Sequence, residues 1–409
     1  MNSWRTVYPM RVGAGQRAGR WLLGLWLGIA GPALAAVPFV PADPAQVLEK
    51  LPVAAADPEF QELQALRRQQ AARPDDLELA LQLARRNLET GRAQADPRYY
   101  GYAQAALAPW WDQPAPPVEV RVLRAVLRQN RHDFDGALAD LRQVLAIQPR
   151  HAQAWLNQAV IHQVRGEPAQ ALQSCLALRR LVSSLLFNAC VSGALARSGQ
   201  AEFAYASLWR ALENSTEADG EERLWALTVL AETAEQLGDA KAAEQHFRAA
   251  LSLGRRDVYL LGAYADFLLD QNRPAEAREL LEGEQRADNL LLRRALAEHR
   301  LNDPAWQRHA EILEARFAAA RQRGDDTHAA AEARLRLELR QQPQQALELA
   351  QRNWAQGQRE PQDARLLLAA ALAARQPDAA REVLAWLAQV KLEDRRLTAL
   401  RQRVREISS

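Results

Sequence analysis

The sequence predicts an all-α chain built from repeated helical hairpins, and three observations carry that prediction. Ala, Leu, Arg, Gln and Glu dominate the 409 residues, aromatics make up only 6%, and runs of Val, Ile or Thr are scarce, so helix formers outweigh strand formers. A fixed spacing of small and bulky residues recurs at intervals of 33 to 39 residues through the middle of the chain. Proline clusters mark two breaks, at 36–58 and 109–117, and leave helical periodicity running from near Glu59 almost to the end. At 48% hydrophobic and 25% charged, the chain is long enough to bury a core, which excludes a wholly disordered or collagen-like class.

The first 35 residues read as an export signal. Arg5, Arg11, Arg17 and Arg20 stand without an acid, then Trp21 to Ala30 is apolar, Gly31-Pro32 breaks it, and Ala33-Leu-Ala35 supplies the small residues a signal peptidase reads. The mature chain is expected to begin at Ala36 or Val37, with Met10 an alternative start. The competing reading is an N-terminal anchor in the inner membrane, because Trp21 to Val40 is about long enough to span a bilayer; Pro32, Pro38 and the cleavage pattern count against it. Removing the signal takes away four arginines and no acid, so 48 basic residues face 50 acidic ones, a net charge of −2. That balance gives no electrostatic case for nucleic acid, nor for a membrane partner beyond the signal itself. The basic residues include only three lysines, Lys50, Lys241 and Lys391.

Residues 36–58, with Pro38, Pro41, Pro44, Pro52 and Pro58 among alanines, read as an extended tether. The helical array then covers 59–409. Its first unit, 75–108, is degenerate and carries Ala84, Gly91 and Ala103. Pro109 to Pro117 holds four prolines in nine residues, which predicts no helix there. The clearest units occupy 118–284 and are anchored at His132, Gly166, Gly199, Gly238 and Asn272, spaced 34, 33, 39 and 34 residues apart. The long interval fits an insertion at Asn214 to Glu221. Around Gly166, Ala159 and Trp155 lie seven and eleven residues before, and Ala171 and Leu178 five and twelve after; Ala231, Leu227, Ala243 and Ala250 repeat the offsets around Gly238. Further degenerate units fall in 308–390, with Arg308 to Pro343 turning at Gly324, then Pro361 to Gln389 with Ala370, Ala380 and Leu384.

Each unit has one physical meaning. Two helices join at a residue that tolerates positive φ, a small residue on each lets them cross closely, and bulky positions fill the space between neighbouring units. The small, small, aromatic, small, proline order, matched best by Glu222 to Gly254 and Ala152 to Ser183, resembles the tetratricopeptide repeat (TPR) family. The resemblance implies a right-handed α-solenoid of TPR-like helical hairpins, in an exported protein that binds a protein or an extended peptide.

Motifs for chemistry are scarce. The seven histidines (His132, His151, His162, His246, His299, His309, His328) fall in different units, and no H-E-x-x-H, C-x-x-C, G-x-S-x-G or P-loop string occurs. No catalytic, cofactor-binding or metal residue is assigned, and no cofactor is expected. Acid pairs such as Glu221-Glu222 and Asp325-Asp326 read as helix starts, where carboxylates suit the helix dipole. Tyr99-Tyr-Gly-Tyr102 with Trp110-Trp111 reads either as a seal over the first unit or as a stacking surface for a proline-rich peptide or a sugar.

In the TPR family, the inner groove uses first-helix positions spaced by 3, 4 and 3 residues. Carried over, these include Leu156 and Val160, Ala189 and Gly193, then Trp225, Thr228, Glu232 and Glu235, then Tyr259 and Asp266. The small residues leave a recess, and the later rows add carboxylates, with Asp270 beside them. The family's Lys and Asn clamp for a carboxylate tail is absent, so the expected ligand is an apolar anchor followed by Arg or Lys. Reversing Glu232 and Asp266 to Lys is expected to leave the fold intact. Cys175 and Cys190 would lie on antiparallel neighbouring helices of such a stack; they read as a disulfide or as two separate small core residues. The functional expectation is a non-catalytic periplasmic scaffold, with an envelope secretion or cofactor-maturation subunit as the alternative. A glycan hydrolase, which needs one acid in a deep cleft, is the remaining one.

Overall fold

The computed structural model describes residues 58–215 and 218–408, so the expected export signal and nearly all of the expected tether lie outside the described residues. Among the described residues there is no strand, and 21 α-helices follow one another, mostly as antiparallel hairpins. α1 (Pro58–Ala72) packs on the first hairpin, α2 (Leu77–Gln94) with α3 (Arg98–Ala106), and α4 (Ala108–Trp111) adds a single turn. Four hairpins follow: α5 (Val118–Asn130) with α6 (Phe134–Ile147), α7 (Ala152–Val164) with α8 (Pro168–Ala177), α9 (Ser184–Ala196) with α10 (Ala201–Glu213), and α11 (Gly220–Leu237) with α12 (Ala240–Leu251). The array continues as α13 (Val258–Asp270) with α14 (Pro274–Leu280), α15 (Asp288–Arg300) with α16 (Ala305–Gln322), and α17 (Ala329–Glu338) with α18 (Pro343–Ala355). In the last hairpin α19 (Pro361–Ala373) faces a 3₁₀ turn that runs into α20 (Arg381–Val390), and α21 (Arg395–Ser408) closes the end.

The five anchors turn as their spacing predicts. His132, Gly166, Gly199, Gly238 and Asn272 take positive φ values of 62°, 66°, 74°, 81° and 54°, each between the two helices of its hairpin. Side chains from Asp133, Asp239 and Asp257 accept the backbone N–H groups of Gly136, Ala242 and Leu260, capping α6, α12 and α13.

Two expectations need correction. The turn placed at Gly324 joins two hairpins instead of making one: α16 packs back on α15, and α17 packs forward on α18. The true turns are Asn302 and Gln341, at φ 56° and 53°. They belong to a pattern shared with Ala95, Gly166, Asn272 and Arg375, in which the left-handed residue is followed two positions on by Pro97, Pro168, Pro274, Pro304, Pro343 or Pro377, at or beside the start of the second helix. Proline is accommodated there because the first N–H groups of a helix have no intrahelical acceptor. For the same reason the break after the first unit begins later than its prolines suggest: Pro109 sits in the first turn of α4, and Trp110 and Trp111 are helical.

The hydrophobic core follows the array as successive clusters, the first hairpins holding those from Leu63 to Leu127 and from Val122 to Val164, the largest running from Ala152 to Leu339 and another filling the last hairpins from Ala333 to Val404. The array also curls until its second half meets its first. The backbone N–H of Arg359 donates to Val164 O at 2.8 Å, Trp386 Nε1 donates to Gly166 O at 3.0 Å, and the Arg256 guanidinium reaches Ala93 O. Gly166 is required twice over, by its positive φ and because a Cβ there would lie 2.7 Å from Trp386 Nε1. Cys175 on α8 and Cys190 on α9 are joined as a disulfide, with Cα atoms 5.6 Å apart.

Candidate functional site

The residues picked out by the 3, 4, 3 spacing do lie on the first helices α7, α9, α11 and α13, but they divide into two environments. Leu156, Val160, Ala189, Trp225 and Thr228 are buried, packed between neighbouring hairpins, and Thr228 Oγ1 donates back to Leu224 O at 2.8 Å. The remainder, Gly193, Glu232, Glu235, Tyr259 and Asp266, together with Asp270, line a central cavity of about 440 Å³. Its far wall comes from α15, α17, α19 and α21, which the curl of the array brings across the inner face.

That wall is rich in arginine, and the pairing is specific. Asp266 receives Arg293 Nη2 at 2.5 Å and Arg334 Nη1 at 2.6 Å. Asp270 is held by both terminal nitrogens of Arg365, one at 2.6 Å, and Glu235 Oε2 meets Arg396 Nη1 at 2.7 Å. Arg396 also forks onto Asp394 at 2.6 Å, while Tyr259 donates its hydroxyl to Glu232. In the opposite direction, Arg197, just past the end of α9, reaches Glu360 at 3.4 Å, the residue that caps α19 with Asp363. Planar guanidinium forks suit such carboxylate pairs better than lysine does.

The charges are unequal to one another. Burial would raise the Asp266 carboxyl, but Arg293 and Arg334 outweigh it and hold the group down at about 2. Glu235 goes the other way: burial, against the single opposing Arg396 and beside Asp270 and Asp394, pushes it up to about 7. Asp363 is likewise pushed up to about 7 by burial and the neighbouring Glu360. Two buried acceptors on lining residues, Glu235 Oε1 and Asn289 Oδ1, have no hydrogen-bond partner.

The arginines and Asn289 were not apparent from the sequence, because the partners of Asp266 and Asp270 lie 27 to 95 residues away along it. The expectation that Asp266 can be reversed to Lys without harm is overturned, since a third cation would then stand between Arg293 and Arg334.

Elsewhere, polar residues serve the fold. His162 pairs with Glu167 at 2.6 Å and His246 with the Tyr205 hydroxyl at 2.8 Å. Tyr99 is buried, Trp110 and Trp111 pack half-buried on the first hairpin's core, and Tyr102 lies exposed under the Arg67 guanidinium at 4.0 Å. Among the described residues no group of His, Cys, Asp and Glu is arranged to hold a metal ion, and no helix is long and apolar enough to cross a membrane.

No protein-family model and no curated protein sequence matches the chain. Solved structures similar to it include Pseudomonas aeruginosa PilF, at 19% identity over 51% of this chain and 95% of that one, with a TM-score of 0.36. The APC/C hetero-tetramer Cut9–Hcn1 is similar at 13% identity over 86% and 67%, with a TM-score of 0.48, and yeast Tom70 at 10% over 87% and 85%, with a TM-score of 0.41. The similarity is one of helical architecture. By its own hairpins and turns, the described part of the chain is a tetratricopeptide-like α-solenoid.

Proposed function

We propose that the mature chain is an exported, periplasmic, non-catalytic scaffold that holds a protein segment against the inner face of its first helices, with an Arg or Lys of that segment turned toward the carboxylates of α11 and α13. The supporting observation is the chemistry of the face itself: Glu235, Asp266 and Asp270 each engage a guanidinium, supplied here by the chain's own later hairpins. A face that selects guanidinium groups from its own chain has the geometry to select one from a partner. A secretion or cofactor-maturation subunit would use the same face to hold an apoprotein. A glycan hydrolase would instead draw on Glu235 as general acid, and Glu235→Gln would abolish turnover of envelope glycan.

The test is capture from a periplasmic and envelope extract by the tagged mature chain, compared with Glu232→Lys at a half-buried position of the stripe. Capture that is lost in the variant and weakens as salt rises supports the scaffold reading; capture indifferent to both refutes it. For the compartment, N-terminal sequencing of the exported protein is expected to begin at Ala36 or Val37, and an intact N-terminus recovered in membranes would contradict export with cleavage.

A further inference from the structure

The central cavity is more than a gap between two halves of the array. At about 440 Å³ it has the size of a small-ligand site. Its lining contains eight carboxylates but only six arginines, with no lysine or histidine. The same wall offers apolar surface from Val229, Leu292 and Leu397. Asn289 is only 6% exposed and the Glu235 side chain 10%, and each of these lining residues carries a buried acceptor oxygen without a donor. Arg300 and Gln362 are the exposed members of the lining, so the cavity meets solvent beside them.

Resting on the scaffold reading above, we propose that this cavity is a binding site for an amine or guanidinium group carried on a short apolar stem, with Glu235 Oε1 and Asn289 Oδ1 accepting its N–H groups. Charge, hydrogen bonding and shape each favour that class. A cation offsets the surplus of carboxylate, its donors satisfy two acceptors that are costly to leave unpaired, and the stem covers the apolar wall. An anion would meet the same excess of carboxylates. The group has two possible sources, a free small cation or the Arg or Lys side chain of the held segment.

Agmatine, butylamine and a glycine-rich peptide with a single central arginine separate these sources, with butyrate as the anionic control. Binding is read by calorimetry and thermal unfolding of the full mature chain. Agmatine at ten times its Kd is expected to raise Tm by about 2 °C, with butyrate silent. The shift is expected to vanish in Glu235→Gln, which keeps the side chain's shape and its contact to Arg396, and in Asn289→Leu. A second readout needs no variant. Glu235 faces Arg396 and Asp394 from the C-terminal segment and Asp266 and Asp270 from α13, and its carboxyl sits at about 7. A bound cation lowers that value, so binding near pH 7 releases a proton and the calorimetric heat changes with the buffer's ionisation enthalpy.

A shift from the arginine peptide equal to that from agmatine assigns the cavity to a partner's side chain; a shift from the free cations alone assigns it to a small molecule. No shift with any cation, or equal shifts in both variants, overturns the cavity site while leaving Glu232-dependent capture as a separate result. Cation binding without Glu232-dependent capture refutes the scaffold reading alone.

Discussion

Asp266 joins three hairpins, and its substitution by asparagine gives the most informative single perturbation. The carboxylate lies between Arg293 of α15 and Arg334 of α17. Asp266→Asn preserves shape and leaves both guanidinium groups facing a neutral amide. The two arginines hold the group at about 2 against an ordinary 3.8, a preference for the ionised form of about 2 kcal/mol. Breaking a buried pair on one side costs about 3–5 kcal/mol. The Asp266 side chain keeps 24% of its exposure, so the lower figures apply, and the expected loss is about 2–3 kcal/mol. In a chain of this length that is a fall in Tm of about 3–4 °C. The pH dependence has a definite sign. The folded pKa is depressed, so the stabilisation is fully present above 3.8 and is lost as pH falls through about 2. Urea unfolding of wild type and variant at pH 7 and pH 3 is therefore expected to show the gap narrowing by about 1 kcal/mol at the lower pH. A gap below 0.5 kcal/mol at pH 7, or one that does not narrow, would show that Arg293 and Arg334 do not hold the ionised carboxylate.

Four further outcomes follow from the same structure. Replacing Cys175 and Cys190 together by Ala is expected to lower stability by about 3 kcal/mol, and two titratable thiols in unreduced, denatured wild type would contradict the bridge. Gly166→Ala forces a Cβ into left-handed backbone and against Trp386, for an expected loss of about 2–3 kcal/mol in urea unfolding; a loss under 1 kcal/mol would contradict that close approach. Burial would lower His328, but Asp288 and Asp325 outweigh it and raise it to about 9, above 6.5, so its stabilisation is full below pH 6.5 and fades as pH rises through about 9. His328→Gln should flatten the Tm profile between pH 6 and pH 10, and an unchanged profile would count against the cluster. Trp386→Phe removes the donor to Gly166 O and should cost about 1 kcal/mol, with increased amide exchange at residues 164–168; unchanged exchange would show that the halves are held by other contacts.

The hairpins were legible in the sequence where glycine or asparagine marks the turn, because positive φ is a local requirement that those residues meet cheaply. The hairpin at Gln341 was misread and the one at Asn302 missed, and at both the proline two residues on was the better sign. Gly324 misled for the complementary reason: it also has positive φ, but in a connection between hairpins. The carboxylates of the inner face were legible as a stripe on α11 and α13, since helical spacing alone places them. Their arginine counterparts were not, because which hairpins meet across the array depends on small rotations accumulated from unit to unit, and no local pattern carries that sum. The apolar half of the stripe was read as surface although Leu156, Val160 and Trp225 are buried, since spacing fixes a face of a helix but not what covers it.

The inner face of the solenoid is met by the chain's own C-terminal arginines. The most direct measurement is a double-mutant cycle on Asp270 and Arg365, which lie 95 residues apart and touch only if the array curls closed. With Asp270→Asn, Arg365→Gln and the double variant compared by urea unfolding at pH 7, closure predicts a coupling energy of about 1 kcal/mol, as for a bidentate, half-exposed pair. Additive single effects, within about 0.3 kcal/mol, would show that the two residues do not meet and that the inner face stands open.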